Sequence, residues 1–390
     1  MAAPLKTAVS SASATSSGRF VPRAVFEASP SIVRSYFLGH HAGALASMRK
    51  TLSNIGLVLE CRDSRVPLTS ANPLLEAALA ARDRIVVYTK ADLCAPPAAN
   101  RWLDAQQRLL SDLHARSSSR GGADIHTEGG GGGRGGRTQV VFTDELNRRT
   151  IGKLIAAIKE RAAAADSLTG LRALVVGMPN AGKSTLLNAL RRVGMGRAKA
   201  ARTGSQPGVT RKLGTPVRVI AEDGAAGIEQ GVFVVDTPGV FVPYVADVEA
   251  MLKLALVGCV KDGLVPAATV ADYLLFHLNR RDPGLYAELC APTNDVMQFL
   301  DAVALRTGKL SKGGVPSQEQ AADWVVQQWR KGNLGRFGLD EVSEESLRAW
   351  SAKALAGEEG QPLSLSQAKK REKTARKERH AAKRQAAEGA

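Results

Sequence analysis

Residues 177–184 read Gly177-Met178-Pro179-Asn180-Ala181-Gly182-Lys183-Ser184, a glycine-rich turn ending in a lysine and a hydroxyl. Glycines at that spacing let the backbone curl until successive N–H groups face one anion, at a helix start that favours negative charge. The candidate phosphate-binding residues are Asn180, Ala181, Gly182, Lys183, Ser184 and Thr185. Lys183 has the reach for β- and γ-phosphate oxygens, and Ser184 has the hydroxyl to ligate Mg²⁺. Further on, Asp236-Thr237-Pro238-Gly239 offers a carboxylate for the same ion and a backbone N–H, that of Gly239, for the γ-phosphate. Between the two lies Pro207-Gly208-Val209-Thr210, which suits a mobile loop. Its Thr210 is expected to close on the metal in the triphosphate state, an ordinary loop threonine being the plain alternative.

Upstream of all these stands Thr89-Lys90-Ala91-Asp92. Asp92 can accept hydrogen bonds from N1–H and the exocyclic amine of guanine. Adenine lacks that donor pair and would leave a carboxylate unpaired. Lys90 is expected to lay its alkyl stem across the base. Thr89 stands where asparagine is usual, and its shorter hydroxyl predicts fewer bridging bonds and a modest affinity for GTP. Thr143-Asp144 follows a later strand, in the place of a last base-contacting loop, and is assigned no contact.

These groups must be delivered by strand ends and helix starts. Apolar runs predict strands at 55–60, 85–89, 139–142, 171–176 and 232–235, and helical spacing marks 42–52, 100–114, 151–163 and 183–192. Residues 222–231 read as a hairpin loop, and from about 245 the pattern is helical with no further strand of comparable quality. The base-reading element comes last in an ordinary GTPase and first here, so the order of motifs describes a circular permutation. The fold class is α/β: a circularly permuted P-loop GTPase, Rossmann-like with a mainly parallel sheet, followed by an all-α C-terminal domain.

The chain of 390 residues is 44% hydrophobic, enough for a sizeable core, and contains no apolar run of about 18 residues or more that could span a membrane. Its net charge of +16 favours a polyanionic partner, nucleic acid ahead of an anionic membrane surface. The four cysteines, Cys61, Cys94, Cys259 and Cys290, lack CxxC spacing and read as reduced structural thiols.

Further stretches carry a resemblance. Tyr36-Phe37-Leu38-Gly39-His40-His41 resembles an N-terminal WFPGHM element, Glu60-Cys61-Arg62-Asp63-Ser64-Arg65-Val66-Pro67 an ExRDARIP segment, and Lys331-Gly332-Asn333-Leu334-Gly335-Arg336-Phe337 a GKLGRF element. With the permuted motifs they make the chain similar to the ribosome-assembly GTPases of the RbgA/YlqF type and their mitochondrial homologue, over roughly residues 30–340. That resemblance implies GTP hydrolysis that is slow alone, because Val240 follows DTPG where Ras-like enzymes place a water-orienting glutamine. It implies His40 as the group that assists the attacking water, with His41 in place of the family methionine. A polar histidine at a helix start is the alternative for His40. Asn180 resembles the asparagine of potassium-activated GTPases, so K⁺ joins GTP/GDP and Mg²⁺ among the expected cofactors. Arg62 and Arg65 are expected to fix the sheet edge or touch RNA.

The organisation expected is a mitochondrial leader at 1–28, a permuted GTPase domain at 29–245, a helical domain at 246–345 and a basic tail at 346–390. The leader is basic, serine-rich and free of acids up to Glu27. A Gly/Ser/Arg insertion at 117–137 reads as a flexible surface segment, with RNA binding as the alternative. Lys369, Lys370, Arg371, Lys373, Arg376, Lys377, Arg379, Lys383 and Arg384 suit the phosphate backbone of ribosomal RNA, or form a solvated face. Trp324, Trp329 and Trp350 are expected as core anchors, with base-stacking platforms as the alternative. The expected partner is a large ribosomal subunit, rRNA and protein, bound by a monomer in the mitochondrial matrix, with peripheral inner-membrane association compatible with the charge. The alternatives are a nucleolar or cytosolic relative, and an RNA-binding scaffold that uses GTP structurally.

Overall fold

The computed structural model of the chain describes residues 20–29, 31–36, 39–79, 82–95, 100–120, 136–165, 167–198, 201, 204, 210, 213–242, 244–245, 247–355, 370, 373–374 and 376. Strands β1 (Leu57–Asp63), β2 (Arg84–Thr89), β3 (Thr138–Phe142), β4 (Leu171–Gly177), β5 (Val217–Ile220) and β6 (Val232–Asp236) form one sheet in the order β3-β2-β1-β4-β6-β5. All neighbours are parallel except β5, which runs antiparallel to β6. The strand order reverses direction between β1 and β4, the crevice where open α/β sheets bind ligands at their carboxyl ends. Helices α1 (Gly39–Thr51), α2 (Pro73–Leu79), α3 (Asn100–Arg120), α4 (Arg148–Ala165) and α5 (Lys183–Met195) accompany the sheet.

Two strand assignments differ from the sequence reading. β5 was not expected. Its four residues carry too little pattern alone, and it exists as a strand through its pairing with β6. β1 runs on past Glu60 to include Arg62 and Asp63, whose charges read as a strand exit but are buried. They are tolerated because they are paired. Arg62 donates from Nε to Glu60 Oε1 at 2.7 Å and also bonds Glu76, while Arg84 bridges Glu60 at 2.9 Å and Glu76 at 2.7 Å. Two carboxylates and two guanidiniums thus cancel on one side of the sheet, and Arg62 fixes the sheet rather than facing solvent. The hairpin at 222–231 is as read, with Asp223 capping a single 3₁₀ turn. Helix α3 continues beyond the expected end at 114, and residues 121–135 of the glycine-rich insertion lie outside the described residues.

After β6 the chain is helical among the described residues: α6 (Val248–Leu256), α7 (Ala267–Arg281), α8 (Val296–Thr307), α9 (Gln318–Arg330) and α10 (Glu344–Leu355). Asp247 and Asp295 cap α6 and α8 by accepting the first free N–H groups. Apolar faces of α6–α9 bury Met251, Leu274, Phe299, Val325 and Trp329 in a common core. Trp324 packs against that core and Trp350 against a cluster around Tyr88 and Leu110, so all the tryptophans questioned above serve as anchors. α10 straddles the boundary placed at 345, and its Leu347 lies on the sheet domain beside Val86 and Tyr88. Of the nine basic residues named for the tail, Lys370, Lys373 and Arg376 are described and exposed, and the other six lie outside the described residues.

Residues 20–29 and 31–36 lie as a strap over the helical core. Arg23 pairs with Asp272 at 2.5 Å, Phe26 meets the Tyr273 ring edge-on at 5.1 Å, and Ile32 and Tyr36 are buried among the helices. The leader boundary expected at 28 falls inside this strap. All the cysteines are free.

Candidate functional site

The phosphate loop leaves β4 through Gly177, whose φ of +142° excludes side chains. A Cβ there would stand 2.3 Å from the Cys61 carbonyl oxygen on β1. Asn180 follows at φ +55° and Gly182 at +81°. Gly182 is packed on Thr89, which would leave a Cβ 3.1 Å from its hydroxyl. Lys183 opens α5 and is buried, donating to the Met178 carbonyl at 2.6 Å across the loop. Burial pulls its ammonium below the ordinary lysine value, against the attraction of Asp236. Gly239 sits on the loop, where a Cβ would fall 2.6 Å from the Pro179 backbone. The loop and the turn after β6 are therefore in van der Waals contact before any nucleotide is considered.

Beside the loop, three expected metal groups converge. The Ser184 hydroxyl lies 2.5 Å from Asp236 Oδ2 and 3.2 Å from the Thr210 hydroxyl. Asp236 Oδ1 is buried and makes no hydrogen bond among the described residues. Burial raises the Asp236 carboxyl above its ordinary value, partly offset by Ser184 and Lys183. A carboxylate with an unused buried oxygen beside two hydroxyls suits a hard divalent cation such as Mg²⁺. Pro207, Gly208 and Val209 lie outside the described residues.

The base end is assembled differently. Asp92 and Asp144 line the same cavity, which measures about 380 Å³. Burial, and then the Asp144 charge, push the Asp92 carboxyl up from its ordinary value. The Ala91 N–H donates to the Thr143 carbonyl, tying the two loops together. The neighbouring residues tie the base and phosphate loops together. Thr89 donates its hydroxyl to the Ala181 carbonyl at 2.9 Å, so it links the base loop to the phosphate loop. Lys90 places its ammonium 2.8 Å from both Asp63 Oδ2 and the Asn180 carbonyl, which makes it a brace between β1 and the phosphate loop. Asp63 is fully buried and also accepts from Arg65 Nε at 2.9 Å and a second Arg65 nitrogen at 2.8 Å. Burial alone would raise that carboxyl, but the Arg65 and Lys90 charges hold it well below the usual carboxylate range.

His40 stands in the first turn of α1, and its side chain lies outside the described residues. His41 is buried, its ring 5.6 Å from Tyr36 and 6.4 Å from Phe241, in an aromatic setting that suits the methionine it replaces. Val240 is buried in a cluster with Leu45 and Met48 of α1. Its carbonyl accepts at 2.8 Å from Nδ2 of Asn72, which precedes α2, while the cluster packs the turn after DTPG against the helix that carries His40.

Several residues in the site were not expected. Val257 and Gly258 after α6, and Gln327 and Arg330 on α9, line the nucleotide cavity from the helical domain. No motif announces them, because each is distant in sequence from every phosphate- or base-binding element. Arg65, expected to fix the sheet edge or touch RNA, ties β1 to the helical domain. Its guanidinium lies 4.7 Å from the Trp329 ring, and its carbonyl accepts from Leu339 N at 2.7 Å.

The parallel sheet, the phosphate loop at its switch point and a base loop that precedes it in sequence define a circularly permuted P-loop GTPase. A family model described as "50S ribosome-binding GTPase" matches residues 172–291, from β4 into the helical domain. Mitochondrial GTPase 1 of Schizosaccharomyces japonicus is 38% identical, aligned over 80% of this chain and 91% of its own length. Mitochondrial ribosome-associated GTPase 1 of Xenopus tropicalis is 31% identical over 79% and 94%. Ribosome biogenesis GTPase A of Priestia megaterium is 29% identical over 79% and 97%. The chain belongs to this family of ribosome-associated GTPases, and it binds guanine nucleotide and hydrolyses GTP.

Proposed function

We propose that this GTPase acts in the mitochondrial matrix, where it binds a maturing large ribosomal subunit and hydrolyses GTP to promote its assembly. The observation that carries the proposal is the helical domain. It directly follows the DTPG strand and lines the nucleotide cavity, so a ribosomal surface docked on the helices is positioned to read the bound nucleotide. The names of the fungal, vertebrate and bacterial relatives support a mitochondrial compartment and a ribosomal partner. The alternative compartments are the nucleolus and the cytosol.

In this mechanism Asp92 reads guanine, Lys183 and the loop amides from Asn180 to Thr185 hold the phosphates, and Gly239 faces the γ-phosphate. Ser184, Thr210 and Asp236 would hold Mg²⁺, which when bound supplies positive charge to the β- and γ-phosphate oxygens. Asn180 is the proposed K⁺-facing residue. Val240 packs into the core and offers no group to orient water, so hydrolysis is slow until the particle presents His40 to the nucleotide. The basic tail holds rRNA phosphates in a salt-dependent manner, and the factor is a monomer that leaves with GDP. Its charge also allows peripheral contact with the inner membrane. The leader at 1–28 is proposed to direct import, and N-terminal sequencing of the mature protein tests where it is cleaved.

The test is GTP turnover in potassium buffer with and without purified mitochondrial large subunits. Strong stimulation is expected. Intact nucleotide binding without stimulation would turn the reading towards an RNA-binding scaffold or another particle.

A further inference from the structure

Helix α6 ends in a turn far more constrained than a helix end requires. Cys259 N donates to the Leu254 carbonyl and Gly258 N to the Ala255 carbonyl, the paired bonds of a Schellman motif with Gly258 at φ +83°. Arg330 then reaches across from α9 and caps the same end a second time, Nε to the Leu256 carbonyl at 2.9 Å and a terminal nitrogen to the Ala255 carbonyl at 2.8 Å. Asp262 holds that guanidinium at 3.1 Å from the other side. A Cβ on Gly258 would meet the Arg330 guanidinium carbon at 3.3 Å, so turn and arginine are closely apposed.

What this turn presents is the Gly258 carbonyl, which accepts a hydrogen bond from Asn180 Nδ2 at 2.8 Å. Asn180 lies in the phosphate loop at φ +55°, a conformation that asparagine tolerates better than most residues. Its own carbonyl accepts from Lys90 at 2.8 Å. Arg330 and Gln327, three residues apart on one face of α9, both line the nucleotide cavity. An unbroken chain of contacts therefore runs from α9 through the end of α6 to the phosphate loop and on to the base-loop lysine.

We propose that Arg330 is a positioning residue of the nucleotide site: by fixing the α6 turn that holds Asn180, it makes the packing of the helical domain set how long the phosphate loop retains its nucleotide. By linkage the converse also holds, and a nucleotide that shifts Asn180 changes how α6 and α9 pack. Neither statement depends on the ribosomal role, because both concern the isolated protein and its nucleotide.

The experiment uses the full chain and the release rate of a fluorescent GDP analogue, measured by stopped flow, with KM and kcat for GTP and the melting temperature recorded alongside. Arg330→Gln removes the charge and the double cap. Asn180→Gly removes the amide while suiting the positive φ. Each is expected to speed release up to about 10-fold, the upper end of what one lost hydrogen bond gives, and to raise KM more than it lowers kcat. The double variant should release no faster than the faster single one, because both act on one contact. Asp262→Asn, on a partly exposed pair that tolerates change, should give a smaller acceleration of about 2-fold. Arg330→Lys should restore part of the retention. Unchanged release in Arg330→Gln with only a lower melting temperature would reduce Arg330 to a structural role, and multiplying effects in the double variant would break the proposed route. If Arg330→Gln does not fold, unchanged release in both Asn180→Gly and Asp262→Asn overturns the proposal.

Discussion

The phosphate end and the base end of this nucleotide site are held by different physics. At the phosphate end the turn is shaped locally, by glycines at +142° and +81° and hydroxyls beside Asp236, with the Asn180 side chain tying it to Gly258 of the helical domain. At the base end the shape is remote. Lys90 is braced by Asp63, which is held by Arg65, which lies under Trp329 of the helical domain. A further anchor repeats the theme: Asp340, beyond α9, accepts from Leu68 N at 2.9 Å, Thr69 N at 2.8 Å and the Thr69 hydroxyl at 2.6 Å. A permuted chain places its base loop on the first half of the sheet, and the helical domain supplies the groups that keep that half in register with the second. The lesson is that one end depends on backbone conformation and the other on buried charge.

The contrast can be broken most sharply at Asp63. Asp63→Asn leaves Arg65 and Lys90 without their buried counter-charge and should destabilise the fold by about 3–5 kcal/mol, read by denaturant melts. The pH dependence has a definite sign. The folded carboxyl lies below its unfolded value, so its stabilisation is complete above the ordinary carboxylate range and is lost as pH falls through that range towards the folded value. Asp63→Asn should therefore flatten the acid limb of stability against pH, and an unchanged limb would deny Asp63 this role. Lys183→Ala should leave the fold intact and lower kcat about 10²–10³-fold, locating the loss in phosphate chemistry rather than assembly of the site. Asp92→Ala should weaken GTP binding about 100-fold by titration while sparing affinity for ATP, since its bonds go to guanine. The smallest effect belongs to the joint between the two ends. Thr89→Val removes the hydroxyl that meets the Ala181 carbonyl and should cost about 1 kcal/mol in nucleotide binding. An effect as large as that of Asp92→Ala would mean that the two ends are not separately held.

Much of the phosphate end was legible in the sequence. Gly182, Lys183 and Ser184 line the cavity and Gly177 turns the chain at φ +142°, because a turn that must curl round an anion needs small residues at fixed intervals. The strands at 85–89, 139–142, 171–176 and 232–235 were legible too, within a residue at either end, since a parallel strand buried on both faces reads as an apolar run. β1 and β5 were harder. β1 carries charges whose partners, Glu76 and Arg84, belong to other elements, and β5 is a strand only beside β6.

The order of the motifs, the turn geometry at the phosphates and the change from strand to helix after DTPG are written in local residue types, since φ preferences and hydrophobic period act over a few neighbours. Three features were settled by folding: the tie of Arg62 to Glu76 and of Asp63 to Lys90, the clasp of residues 20–29 and 31–36 on the helices, and the entry of Gly258 and Arg330 into the nucleotide cavity. Each needs groups from segments separated in the chain. A charge carries no mark of the opposite charge it will meet, and a helix end gives no sign of the loop it will hold, until the core has brought them within bonding distance.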